Sequence, residues 1–445
     1  MEDHNLPKVL IVGGGFGGLA AARAVSGAQA MTAVIDRQNH HVFQPLLYQV
    51  ATASLSPADI AAPIRSALRG VPRCAVVLAQ VEGVDLERKR LVFDSGTAPY
   101  DYLVLAAGVT HDYFGNDQWS DVAPGLKSLS DATELRRRIL LAFESAEHEG
   151  DPDERRASLT FAVIGAGPTG VEMAGAIKEI ASNTLPREYL HIDTSTARVI
   201  LIEGGQRVLP TFSERLSTRA QADLENLGVE VMLNTRVTNV EPGGVWVGDR
   251  FIPAQNAFWA AGVRASPLGA SLGVPVDRAG RVIVGPDLSV PGHPEVFVVG
   301  DIASYTPAGA ERPLPGVAQV AMQMGKHAGG IIKRDISRGP STDRPAFVYK
   351  DKGSMAIIGR NRAIAQVGKT QMAGFIAWLA WAFVHVLFLV GYRNRLRVFF
   401  SWGWNWLLSS RDARLVIGDA KMRVRMPNGP GFEPHGSAPP VEKET

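Results

Sequence analysis

The chain has 445 residues, beyond the roughly 250–300 at which a single hydrophobic core stops growing, so two or more domains are expected. Hydrophobic residues make up 46% and charged residues 20%, which excludes a largely disordered or collagen-like chain. The single cysteine, Cys74, excludes an internal disulfide framework, a four-cysteine metal site and CxxC dithiol chemistry.

The net charge of +2 is uninformative by itself, and no nucleic-acid partner is expected. Mean hydropathy is +0.02, slightly high for a soluble enzyme. The first residues, MEDHNLPKVLIVGGG, enter an apolar run at once and carry no signal or transit peptide, so neither export nor organelle import is expected.

In chain order, residues 9–12 (VLIV) are a β-branched apolar run, followed by a glycine-rich turn with Gly13, Gly15 and Gly18 and then a small-residue helix. Residues 161–164 (FAVI), the turn with Gly165, Gly167 and Gly170, and the helix from Val171 repeat that grammar. Such a run feeding a turn and helix is how a buried parallel strand of a doubly wound sheet reads. Glycines at this spacing allow a tight turn and close backbone approach, while the helix N-terminus faces a pyrophosphate.

A ribose 2′-hydroxyl also needs an acid at the end of the second strand. The first copy has Asp36, 18 residues past Gly18, close to the usual spacing of about 20, with Arg37 next to it. The second has Glu203, 33 residues past Gly170, and residues 182–197 read as an inserted loop that accounts for the difference. A carboxylate there repels a 2′-phosphate, so NADH is expected over NADPH, with Arg207 as the one nearby counter-signal. The competing reading is two Gly-rich turns in an ordinary α/β sheet, which leaves both acids unexplained.

Three further strand ends belong to these two nucleotide-binding units: residues 102–108, ending in Ala107 and Gly108; residues 256–262, ending in Gly262; and residues 296–301, ending in Gly300 and Asp301. The charged stretch 148–156 reads as the boundary before the second unit. A short strand-rich piece starts near Phe347. Residues 373–392 are 20 uncharged residues, long enough to span a bilayer, and Trp378, Trp381, Trp402, Trp404 and Trp406 cluster in this tail, as membrane-interface aromatics do. Residues 391–426 carry eight Arg or Lys against two Asp, a net +6 that leaves −4 elsewhere. A spanning helix would put that charge opposite the NADH unit, against the positive-inside rule, so a monotopic helix pair lying in one leaflet is expected. A buried core or dimer helix is the alternative. Residues 427–445, rich in Pro and Gly, read as disordered.

Two dinucleotide sites in one chain suggest a flavoprotein that passes hydride from nicotinamide to FAD. The arrangement resembles the two-dinucleotide-binding-domain flavoproteins and, within them, the type II NADH dehydrogenases, non-pumping NADH:quinone oxidoreductases. Residues 43–52, 201–210, 298–301 and 318–323 carry the likeness beyond the fingerprints. It implies two Rossmann-like domains, with FAD in a split unit (1–120 and 280–370), NADH in 121–279, and a C-terminal membrane-anchoring segment (371–426). It also implies that Ala318 and Gln319 lie against the flavin, that Gln319 and Gln323 border the quinone site, that Glu172 lies near where nicotinamide meets flavin, and that Gly300 and Asp301 hold the FAD ribitol. From the residues alone, the two glutamines fit a solvated helix face equally, and Glu172 fits an acid in a helix's first turn.

The cofactor carries the hard chemistry in such an enzyme, so no metal is expected, and His40 and His41 read as loop residues near the cofactor. A peripheral enzyme on the cytoplasmic face of the membrane is implied, acting on menaquinone or ubiquinone, as a homodimer through the tail. The alternatives are a soluble NADH-dependent ferredoxin or rubredoxin reductase, and a redox-sensing FAD/NAD-binding protein.

Overall fold

The computed structural model describes residues 6–408 and 413–416; the 427–445 tail and Arg411, Lys421, Arg423 and Arg425 of the basic segment lie outside them. Two parallel sheets organise the molecule. In the first, Lys8–Val12 pairs with Met31–Asp36 on one side and Tyr102–Leu105 on the other. Cys74–Leu78 closes one edge, and His293–Val298 with Ser289–Val290 the other. The second sheet is built alike on Thr160–Ile164, between Arg198–Ile202 and Asn256–Trp259, with Val229–Met232 outside. Val9, Ile11, Phe161 and Val163 are fully buried, as continuous apolar runs in a sheet covered on both faces must be.

The repeat extends further than its glycine turns. Each unit carries a three-stranded antiparallel meander, ahead of Tyr102–Leu105 in the first and ahead of Asn256–Trp259 in the second. These are Gly83–Asp85, Arg90–Phe93 and Gly96–Pro99 in the first, and Val237–Glu241, Gly244–Val247 and Arg250–Pro253 in the second. The chain returns to the first unit through His293–Val298 and the helix Ala318–Arg338, which lies backbone to backbone on the fingerprint helix Phe16–Val25. A Cβ on Gly325 would stand 2.1 Å from the Gly17 carbonyl oxygen. That contact fixes the start of the Ala318–Arg338 helix beside the first glycine turn.

Several local expectations change. The charged stretch 148–156 is a helix break: Leu129–His148 ends there, and Asp151 caps Pro152–Ser158 by accepting from the Asp153 and Glu154 amides. The expected loop 182–197 is compact, with a π-turn over Ile180–Thr184, short 3₁₀ turns at Leu185–Arg187 and Thr194–Thr196, and a fully buried Thr194. The strand-rich piece begins at Ser354–Gly359, pairs with Arg362–Val367 and ends with Thr370–Ala373. It packs on the second fingerprint helix Pro168–Glu179, where a Cβ on Gly175 would come within 1.8 Å of the Ile358 carbonyl oxygen.

The apolar tail is two helices, Phe375–Phe388 and Tyr392–Leu408. At 14 residues the first is about 21 Å long against a hydrocarbon core of about 30 Å. Among the described residues no helix is long and apolar enough to cross a membrane.

Candidate functional site

The two glycine turns are built alike. Gly13 and Gly165 adopt φ of 105° and 101°, a region that favours glycine. Their amides donate to Ile35 and Ile202 at 2.8 Å each. A Cβ on Gly18 would stand 1.8 Å from the Gly13 carbonyl oxygen, and one on Gly170 1.8 Å from that of Gly165. Each turn also abuts the end of a neighbouring strand. A Cβ on Gly13 would meet the Ala106 carbonyl oxygen at 2.3 Å, next to Ala107 and Gly108, and one on Gly165 the Ala261 Cα at 2.5 Å, next to Gly262.

The acids complete the parallel. Asp36 Oδ2 accepts from the Gly14 amide at 2.6 Å, and Glu203 Oε2 accepts from the Ala166 amide at 2.7 Å. Glu203 Oε1 takes the Gly205 amide at 2.7 Å. Arg207, the counter-signal, instead donates to the Pro210 carbonyl at 3.0 Å. Arg37 is exposed beside Asp36.

These residues fit dinucleotides. The two N-cap glycines, Gly15 and Gly167, provide no side-chain cap to their helices, and a Cβ on either would meet nothing within 4 Å. Uncapped helix amides beside open space at a glycine turn are a phosphate cradle. Asp301, in the turn Gly300–Ile302, is buried enough to push its carboxyl above the usual range, with Lys127 and Arg281 pulling the other way. The sequence reading missed Lys127, which burial pushes down and which faces Asp301 and Asp131. The start of the Ala318–Arg338 helix reaches this region, since a Cβ on Gly300 would stand 3.1 Å from the Ala321 Cβ.

His40 and His41 lie in a short strand, His40–Val42, paired with Ala61–Pro63, and not in a loop. His41 is 2% exposed, and its Nδ1–H donates to the Gly14 carbonyl at 3.1 Å. Burial lowers its pKa to about 4, so it is neutral beside the first cradle. Gln323 exchanges two hydrogen bonds with the Lys350 backbone, 3.0 Å each way, so its amide holds residues 347–350 against the helix. Gln319 is half-buried, and no hydrogen bond of its side chain occurs among the described residues.

Glu172 sits on Pro168–Glu179 beyond the first turn, which holds no acid. Burial pushes its pKa up to about 8, opposed by a hydrogen bond from the Ile357 backbone. Its carboxyl is therefore mainly protonated at neutral pH.

Glu172 lines a cavity of about 130 Å³ together with Tyr48, Gln49, Ile357, Trp381 and Trp402. Gln319 and Gln323 are not among its walls. Three parts of the chain meet here: the short helix Leu47–Ala51, the second fingerprint helix with its covering sheet, and the aromatic tail. Trp402 Nε1–H donates to Gln49 Oε1 at 2.7 Å, and Gln49 Nε2–H to the Tyr48 hydroxyl at 2.8 Å. Nothing in the sequence pattern sets these tryptophans inside a cavity, because a tail rich in Trp reads first as a membrane interface.

The outer faces of both tail helices are apolar and open. Ile376 is 70% exposed and Phe383 69%, while Ala377 and Trp381 on the opposite face are 0% and 2% exposed. On the second helix Phe399 and Phe400 are exposed at 61% and 67%, beside the exposed Arg393 and Arg397. Asn394 and Trp402 tie this helix to Ala61 and Gln49 of the first unit.

The profile of the pyridine nucleotide-disulphide oxidoreductase family matches residues 7–325, and that of the NDH2 C-terminal domain residues 352–412. A type II NADH:quinone oxidoreductase of Mycobacterium tuberculosis, Ndh, is 45% identical over 431 residues, covering 94% of this chain and 92% of that protein. A second from the same organism, NdhA, is 46% identical over 424 residues, covering 92% and 89%. The structure of NDH2 from Plasmodium falciparum in complex with NADH superposes with a TM-score of 0.84 at 20% identity, over 93% of this chain and all of that one. With one cysteine, half-buried on a sheet edge, this chain lacks the dithiol that gives the broader family its name. The chain belongs to the pyridine nucleotide-disulphide oxidoreductase family and, within it, to the type II NADH:quinone oxidoreductases.

Proposed function

We propose that the chain oxidises NADH and reduces a membrane quinone through FAD, without pumping protons. The observation that carries this reading is the pair of equivalent cradles, each closed by an acid on its own loop amide, together with a cavity that joins the second cradle's helix to the tail. Bound FAD would supply the hydride acceptor for NADH and the two-electron donor for the quinone. The chain binds, orients and excludes water.

In this reading Gly13, Gly15, Gly18, Asp36, Arg37, Ala107, Gly108, Gly300, Asp301, Ala318 and Gln319 hold FAD. Gly165, Gly167, Gly170, Glu203 and Gly262 hold NADH, with Glu172 near where its nicotinamide meets the flavin. Residues 1–120 and 280–370 form the FAD domain and 121–279 the NADH domain. Glu172 faces the acceptor as a neutral acid that holds a proton for it. Gln323 serves the site by fixing the segment at Lys350.

The exposed apolar faces of the two tail helices, flanked by arginines, support docking into one leaflet of an anionic bilayer from the cytoplasmic side. Docking brings a lipid-dissolved substrate to the cavity mouth. Homodimerisation through the tail is proposed from the family likeness; a monomer by light scattering in detergent would reject it. A soluble ferredoxin or rubredoxin reductase would leave those apolar faces without a purpose. The direct test is turnover in lipid: NADH consumption with a short-chain quinone supports the reading, and flavin reduction without quinone reduction opposes it.

A further inference from the structure

The compact insertion between Pro168–Glu179 and Arg198–Ile202 ends in a leucine that nothing covers. Leu190 is 90% exposed, yet the backbone that carries it is fixed. Glu147 Oε1 accepts from the Leu190 and His191 amides at 2.9 and 3.0 Å and from His191 Nδ1–H at 2.8 Å. On the other side of the tip, the Tyr189 hydroxyl donates to Glu144 Oε1 at 3.0 Å. A loop pinned in this way holds its apolar side chain out in water, which costs free energy until something covers it.

A single exposed leucine needs no explanation, but a continuous apolar patch does. Arg414 pairs with Glu188, which brings the exposed Leu415 and Val416 to the base of the tip. The second tail helix ends close to the root of the same insertion. The Arg360 amide donates to Glu179, the last residue of the helix that leads into the insertion. The Arg360 guanidinium donates to the Trp406 carbonyl and lies 5.4 Å over the Trp406 ring, and Trp406 Nε1–H donates to Asn361 Oδ1 at 3.1 Å. Open apolar side chains thus continue from Phe399, Phe400 and Trp404 on the tail helix, through Leu415 and Val416, to Leu190. Cations accompany them: Arg187 is exposed beside the tip, and the sequence after Val416 adds Lys421, Arg423 and Arg425 against Asp419. Apolar tips among basic residues suit an anionic bilayer surface, where leucines enter the acyl region and cations meet phosphates.

We propose that the Leu190 tip, with Leu415 and Val416 beside it, enters the same leaflet as the tail helices, so that the NADH unit as well as the tail rests on the bilayer. The assignment rests on the reading of the tail as a membrane-docking segment. Two separate contacts fix the tilt of the enzyme over the lipid, which one helix pair alone leaves free.

The test places a nitroxide label at Leu190→Cys, or at Phe383→Cys on the tail, in the flavin-loaded full chain with Cys74→Ser. Vesicles of phosphatidylcholine with phosphatidylglycerol are then added. At both positions the label should gain access to oxygen and lose access to a water-soluble nickel chelate. Leu190→Glu in the otherwise unaltered chain should weaken binding to the same vesicles about five- to tenfold, with flavin content and NADH-dependent ferricyanide reduction unchanged. A label at 190 that stays open to nickel while that at 383 enters lipid overturns the proposal and keeps tail docking. A label at 190 already closed to nickel without lipid points to a second copy of the chain at the tip and also overturns it. If neither label enters lipid, the docking reading falls too.

Discussion

The Ala166 amide donates to Glu203 Oε2 at 2.7 Å, so the acid that ends one strand closes the glycine turn of its neighbour. Asp36 does the same for Gly14. A carboxylate pinned in this way keeps further lone pairs for a ribose diol, and its charge opposes a 2′-phosphate.

Glu203→Ala should therefore raise the KM for NADH several-fold, the loss of one or two hydrogen bonds, and narrow the preference over NADPH. Flavin content should not change. Steady-state kinetics with both nucleotides reads this, and an unchanged KM for NADH would remove Glu203 from the site.

Gly15→Ala and Gly18→Ala should separate binding from folding. A Cβ on Gly15 enters open space, so that variant should fold yet purify with little FAD. One on Gly18 would stand 1.8 Å from the Gly13 carbonyl oxygen, so that variant should lose stability as well. Flavin absorbance and thermal melts check the pair. A fully yellow Gly15→Ala protein would contradict the first cradle.

The carboxyl of Glu172 predicts a pH dependence with a definite sign. Its folded pKa, about 8, lies above the ordinary 4.5, so the folded state binds the extra proton. The stabilisation is complete below 4.5 and is lost as pH rises through about 8. Glu172→Gln, which stays neutral, should melt at a Tm that gains on the wild type by several degrees between about pH 5.5 and 8.5. Quinone-dependent turnover of the wild type should fall above about pH 8, and the variant should turn over more slowly without that alkaline limb. Parallel Tm curves would place Glu172 in a wetter setting.

Ile376→Glu with Phe383→Glu changes the open face of the first tail helix and leaves Ala377 and Trp381 covered. The double variant should stay in the supernatant with anionic phospholipid vesicles, flavin intact, where the wild type sediments. Equal sedimentation would place the lipid contact elsewhere.

Much of this was legible in the sequence, for a physical reason. A glycine that must approach a carbonyl within a Cβ radius leaves a fixed letter at a fixed spacing, and Gly13, Gly18, Gly165 and Gly170 are such positions. Asp36 and Glu203 followed from strand ends. The meanders were not legible, because short strands open to solvent leave little periodic signal. Nor was the tail's division into two helices: residues 373–392 are apolar throughout, and the turn falls at Gly391, where φ is 91°. His41 and Trp402 matter through hydrogen bonds to Gly14 and Gln49, far away in the chain, and Gln323 looked like a surface glutamine because its partner is the backbone of Lys350.

Anaerobic NADH oxidation by the purified yellow protein in lipid, with and without a short-chain quinone and with NADPH as control, decides whether the chain passes electrons from NADH to quinone. NADH should be consumed rapidly only when quinone is present, NADPH far more slowly, and one quinol should form per NADH oxidised. Flavin that bleaches with NADH and stays bleached when quinone is added would rule out quinone as the acceptor.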